Sequence, residues 1–255
     1  MGLLSHVFLS FSINAQSALA GGISSYAQWR RWSEAPWLPQ GDLDPQISSF
    51  PAMHRRRLSR VGKLAVAVAT EASAGADPAT LPIVWASRYG DAQRSLDMIG
   101  THANGDPISP TAFTVSVHNG IGAQYSIARG VTQNASSMSA GLSTPAAGML
   151  EAVALLADGH DQALLVHYDA PLPGAYEQFQ DSSMAEYAWA VRISGAKRGE
   201  PHFTLQIQPD ETAIKNGVVS RLPPGLQILW FLLSDTHTLT QRHHQCTWIW
   251  SREHA

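Results

Sequence analysis

Two short apolar runs do most to limit what this chain can fold into. Residues 81–87 (LPIVWAS) and 163–168 (ALLVHY) are almost unbroken hydrophobic stretches, too short for free-standing helices. Runs of this kind suit strands covered on both faces, because a strand with one wet face alternates apolar and polar residues instead. Elsewhere the period changes. Leu58, Val61, Leu64, Ala65 and Val68 recur at helical spacing behind Arg55, Arg56 and Arg57, which predicts a helix from Arg55 to about Ala74. Residues 88–101 return to that pattern. Residues 109–130 start with a Pro turn and continue as a helix rich in small residues, and residues 145–158 read as a strongly apolar helix stopped by Gly159. Further strands are expected at 7–13, 135–140, 187–194, 202–208 and 247–250, with an apolar helix at 226–233 and loops at 169–181 and 217–225. Strands alternating with helices argue for an α/β fold, a mixed sheet packed by helices in a layered core.

The 255 residues are expected to form a single domain over 1–255, in which the Trp- and Pro-rich residues 23–50 supply a short helix and an irregular segment. Only 15% of the residues are charged and 44% are hydrophobic, so the chain is not disordered. A net charge of −3 leaves no basic excess to neutralise phosphates, so no nucleic-acid partner is expected. No stretch reaches the ~18 apolar residues of a membrane helix. No Lys or Arg precedes Arg30, so the N-terminus reads as a strand rather than a secretory signal, and the expected location is cytoplasmic.

Candidate chemistry is thin. There is no GxGxxG and no GxxxxGK[ST] loop, so no cofactor is expected. Cys246 is the single cysteine, next to a probable strand rather than a helix N-terminus that would favour a thiolate. His243 and His244 are adjacent, and neighbours on a strand point to opposite faces, so no metal site is expected. No G-x-S-x-G motif surrounds Ser143. Gly120 and Gly122 fall inside an expected helix, where each costs ~1 kcal/mol relative to Ala, which points to close packing. Arg55, Arg56 and Arg57, with Arg60 and Lys63, make a cationic face, either simply solvated or a dock for an acidic partner.

Three stretches together carry a resemblance: 51–69 (PAMHRRRLSRVGKLAVAVA), 83–90 (IVWASRYG) and 108–130 (ISPTAFTVSVHNGIGAQYSIARG). The chain resembles the N-terminal half of β-ketoacyl synthases. Within that group it is similar to short chain-length-factor-like subunits of type II polyketide systems that make aryl polyene and xanthomonadin-type pigments. The resemblance implies a thiolase-like layered fold, half of a ketoacyl synthase. Ser109-Pro110 match the family's Ser-Pro turn, Asn119 stands at the family's spacing from that Ser, and Gly130 matches the glycine ahead of the next strand. Counting on from there, or back from Gly159, places Leu142 where the family carries its nucleophilic cysteine. Claisen condensation there needs a thiolate at a helix N-terminus, where N–H groups stabilise an oxyanion. Leucine cannot take an acyl group, and the family's two catalytic histidines belong to a C-terminal half that a chain of this length is expected to lack.

The resemblance therefore implies a non-catalytic partner of a catalytic ketoacyl synthase, forming a heterodimer supplied by an acyl carrier protein. A strand made of Ala135, Ser136, Ser137, Met138, Ser139 and Ala140 would pair across subunits. Thr111, Ala112, Phe113, His118 and Asn119 would lie at the partner and the acyl tunnel, although Phe113 could equally be plain core and His118 and Asn119 internal caps. Arg55, Arg56 and Arg57 would dock the carrier protein. Two alternatives stay open: a homodimer that binds carrier protein or CoA without a synthase, and a stand-alone acyltransferase or hydrolase using Ser143 or Cys246.

Overall fold

The computed structural model describes residues 7–45, 47–210, 220–243 and 245–254. The elements run β1 (Val7–Ala20), α1 (Tyr26–Glu34), α2 (Ala52–Arg57), α3 (Arg60–Ala72), β2 (Ile83–Ala86), α4 (Ala92–Ala103), α5 (Pro110–Ser116), α6 (Gly120–Arg129), β3 (Ala135–Met138), α7 (Thr144–Ala157), β4 (Gln162–Asp169), β5 (Tyr187–Gly195), β6 (His202–Pro209), α8 (Pro224–Leu233), β7 (Thr238–His243) and β8 (Cys246–Glu253). The strands form one sheet in the order β3-β2-β4-β5-β1-β6-β8-β7. β2 runs parallel to β3 and β4, and the remaining neighbours are antiparallel.

The two apolar runs become β2 and β4, buried on both faces, and their residues sort by parity. Ile83, Trp85, Leu164 and Val166 face a layer of α3 and α6, whereas Val84, Ala86, Ala163 and Leu165 face α7, α1 and α8. Strand geometry enforces this split, since successive side chains point to opposite faces. α3 starts at Ser59, whose hydroxyl accepts a hydrogen bond from Gly62 N, and buries Val61, Leu64, Ala65, Val68, Ala69 and Ala72 along one stripe. Close approach explains the glycines of α6. A Cβ on Gly122 would stand 2.8 Å from the buried Trp85 ring, and one on Gly120 would stand 2.8 Å from the Val115 carbonyl oxygen.

Several expected boundaries are corrected. The helix foreseen from Arg55 to Ala74 is two helices, because Leu58 turns extended into the core and Ser59 caps a new start. The arginine run closes the first helix instead of opening the second. Residues 109–130 also break in two: Val117 is extended, Gly120 N donates to Val117 O at 2.8 Å, and α6 restarts there. The first strand extends past residue 13 to Ala20, with a bulge between Ile13 and Ala15. The 135–140 strand stops at Met138, and residues 139–143 turn into α7. The 169–181 loop contains a 3-10 turn at Gly174–Phe179. β7, whose residues TLTQRH lack an apolar alternation, was not foreseen, and β8 is longer than residues 247–250. Residues 217–219 of the expected 217–225 loop and His244 lie outside the described residues, and α8 already starts at Pro224.

The C-terminal elements close the α7 face. α8 packs on α7 and α1. The β7–β8 hairpin holds α8 at both ends: Gln241 donates to Pro224 O at 3.1 Å, and Arg252 donates to the carbonyls of Phe231, Leu232 and Ser234 at the C-terminus, where a cation also suits the helix dipole.

Candidate functional site

β3 is one outer strand of the sheet, paired only with β2. Toward β2, Ile83 N donates to Asn134 O at 2.8 Å and Ser87 N donates to Met138 O at 3.2 Å. The alternation of a strand then turns the N–H and C=O of Ala135 and Ser137 away from β2, toward the open side. α6 packs on β3, and α5, which packs on α6, is solvent-exposed at Thr111, Ala112 and Phe113. Phe113 is 55% exposed, which sets aside the plain-core alternative within this chain, and Val117 and Ile127 add further exposed apolar side chains. Asn119 begins α6 without a side-chain cap hydrogen bond.

After β3 the chain makes a tight strand-to-helix turn. Gly141 takes a left-handed φ of 56°, accessible to glycine at little cost. Thr144 locks the turn: its hydroxyl accepts from Ala140 N at 2.8 Å and donates to Gly141 O at 2.7 Å. Leu142 stands half-buried on the 3-10 turn at the N-terminus of the 14-residue α7, the end where the helix dipole favours negative charge. An alkyl side chain there has no atom that can attack or carry an acyl group. Ser143 is buried, and its hydroxyl oxygen accepts from Trp248 Nε1 at 3.1 Å. Cys246 pairs across the β7–β8 hairpin with His243 and stands two positions before Trp248 on the same strand.

Behind the turn lies a buried polar cluster that the sequence reading passed over. It sits at the carboxyl ends of β2 and β4, where ligands and functional groups of parallel sheets gather. Asp169 Oδ1 accepts from Arg88 N at 2.9 Å and from Ser87 Oγ at 3.1 Å. Arg88, nearly fully buried, donates through its guanidinium to Ser182 and Tyr89 and pairs with Asp181. Ser139 Oγ donates to Arg88 O at 2.8 Å, and His118 Nε2 donates to Ser87 O at 2.9 Å. His167 Nδ1 donates to Ala86 O at 2.9 Å, so its Nε2 accepts from Tyr187 OH at 3.1 Å. Burial pushes Asp169 up to about 7, partly countered by the Arg88 and Ser87 hydrogen bonds. Burial also holds His167 down to about 3, keeping it neutral. The polar letters His167 and Asp169 at the end of an otherwise apolar run were the available signal.

The structure thus brings together β3, Ser139, His118 and the α5–α6 junction around Ser87-Arg88. Arg55, Arg56 and Arg57 are not part of this group. They end α2, which packs on α6 through a buried His54 Nδ1···Gln124 Oε1 contact of 2.9 Å. Arg55 and Arg56 line a cavity of about 340 Å3 with Lys63 and Asp44. No carboxylate pairs with these three arginines among the described residues.

Comparison with known proteins places this geometry. The model of the β-ketoacyl synthase N-terminal domain family matches residues 29–251, and the chain belongs to that family. A chain of the ketosynthase (ApeO) in complex with its chain length factor (ApeC) from Xenorhabdus doucetiae is 27% identical, with a TM-score of 0.80 over 96% of this chain and 100% of that one. A chain of the ishigamide ketosynthase/chain length factor is 14% identical with a TM-score of 0.62, covering 79% of this chain and 68% of that one. A chain of AntDE:AntF, a type II acyl-carrier protein in complex with its ketosynthase, is 11% identical with a TM-score of 0.70, covering 97% of this chain and 100% of that one. At these last two identities the likeness is one of fold. No curated protein matches the sequence.

Proposed function

We propose that this member of the β-ketoacyl synthase family is a chain-length-factor-like partner of a catalytic ketosynthase in a type II polyketide system of the aryl polyene kind. The observation that carries the reading is the open β3 edge, together with exposed apolar side chains on α6, which packs on β3, and on the α5 segment that precedes it: Ile127, Val117 and Phe113. An uncovered edge with apolar neighbours is a template for pairing with another chain. The near-complete superposition on a chain of a ketosynthase–chain length factor complex supports the choice of partner.

In this reading the chain is non-catalytic. Leu142 stands where a nucleophile would use the α7 N-terminus, and Ser143 is buried with its hydroxyl oxygen accepting from Trp248 Nε1. The partner supplies the condensing chemistry. Ala135, Ser136, Ser137 and Met138 pair with it, and Thr111, Ala112 and Phe113 bound the acyl tunnel between subunits. Ser139, Ala140, His118 and Asn119 shape the ends of that surface. Arg55, Arg56 and Arg57 attract the acidic carrier protein that brings substrate, and the chain works in the cytoplasm with no cofactor of its own.

The test is co-expression with the ketosynthase encoded nearest to it, followed by size-exclusion chromatography with light scattering. A one-to-one complex at the summed mass is expected, and Phe113→Ala in the reconstituted system is expected to shift product length. A chain that runs alone as a monomer or homodimer and binds no synthase overturns the reading.

A further inference from the structure

One carboxyl group is linked to the ends of the proposed partner surface at Ser139 and His118. Asp169 Oδ1 fixes Ser87 and Arg88 through the Ser87 hydroxyl and the Arg88 backbone N–H. These two residues distribute that fixation. The Ser87 carbonyl accepts from His118 Nε2, at the junction between α5 and α6. The Arg88 carbonyl accepts from Ser139 Oγ, where β3 turns toward Leu142. The Arg88 guanidinium holds Asp181 and Ser182, behind the 3-10 turn at Gly174–Phe179. The Ser87 hydroxyl in turn accepts from Gly90 N at 2.9 Å. Asp169 is 4% exposed, so it cannot touch a partner itself.

We infer that Asp169 is the positioning residue of the partner-docking face: acting through Ser87 and Arg88, it sets the α5–α6 junction, the β3–α7 turn and the loop around Asp181 in one arrangement. The inference rests on the partner reading above for what the face docks. The network itself is a property of the isolated chain. A buried acceptor shared by two donors leaves both unsatisfied when it is removed, and local opening follows where the freed groups were the main tethers.

Backbone hydrogen exchange of the isolated chain separates this role from simple core filling. In Asp169→Ala, residues 117–119, 139–142 and 174–182 should exchange about ten-fold faster, while α3 and β5 keep their protection. Asp169→Asn keeps an acceptor oxygen at the same place and should stay close to the parent. Ser139→Ala cuts one branch only and should quicken 139–142 alone, whereas Ser87→Ala removes a hydroxyl that Asp169 holds and should quicken 117–119 and 139–142 together, so the inference stays decidable even if Asp169→Ala does not fold. Unchanged exchange in the three segments, or an equal rise in α3 and β5, overturns the inference. Binding to the co-expressed ketosynthase forms the second arm. About ten-fold weaker binding of Asp169→Ala, with Asp169→Asn retained, is the expected result, and equal binding of the two overturns the inference. If the parent chain binds no ketosynthase, the partner reading fails, and the exchange pattern still decides the role of Asp169.

Discussion

Asp169 and His167 carry opposite linkages two positions apart. Asp169 titrates at about 7 in the folded chain against an ordinary 3.8, so the folded state holds its proton more tightly. Its contribution is fully present below pH 4 and is lost as pH rises toward about 7. His167 is the reverse case: held at about 3 against 6.5, it costs stability as pH falls below 6.5. The two slopes oppose one another between those values, so a variant difference is the clean readout. Asp169→Asn should gain stability relative to the parent as pH rises from 5 to 8, by an amount on the order of a few kcal/mol. Urea unfolding at the two pH values measures it, and a difference that does not change with pH contradicts the assignment.

At the scale of elements, β3 shows how a strand can be complete inside its own chain and open outside it. Its inward groups are satisfied by Ile83 and Ser87, and its outward groups belong to Ala135 and Ser137. Proline at an outward position removes an edge donor and leaves the internal ladder alone. Ser137→Pro should therefore weaken ketosynthase binding by about ten-fold or more while moving the melting temperature by only a few degrees, within the roughly 1 kcal/mol worth of one hydrogen bond. A large loss of stability with unchanged binding would show that the edge is not the docking element. Breaks within helices were the least legible part of the sequence. The apolar period of residues 55–74 is continuous across Leu58 and Ser59, and only the three-dimensional packing of Leu58 shows that the helix stops and restarts there.

Across the whole molecule, the C-terminal segment acts as a cover. α8, among the most apolar helices, lies against α7 and α1, the hairpin β7–β8 clamps both its ends, and Trp248 reaches back to the turn before α7. Ser143 and Trp248 are 105 positions apart, and their contact couples β8 to the proposed docking region. Trp248→Phe keeps the ring and removes the indole N–H, leaving the buried Ser143 hydroxyl without its donor. It should cost about 1–3 kcal/mol. Thermal unfolding should keep a single transition, as expected when one continuous sheet joins both buried layers. Two transitions would mean that the C-terminal cover folds as a separate unit.

By itself the sequence determined the α/β class, the two strands buried on both faces, most helix positions and the close-packed glycines, because burial and period are local properties of the residue string. The stretches around Ser109, Asn119 and Gly130 also carried the family. What only the tertiary structure decided are relations between distant positions. It made β3 an edge strand, left Phe113 exposed, separated Arg55, Arg56 and Arg57 from the α7 turn, and gathered Ser87, Arg88 and Asp169 into one buried network. No period in the sequence encodes which strand ends a sheet or which carbonyl a distant hydroxyl will meet. Those follow from how β2, β4 and β3 stack side by side, and from the need of each buried polar group to find a partner once water is gone.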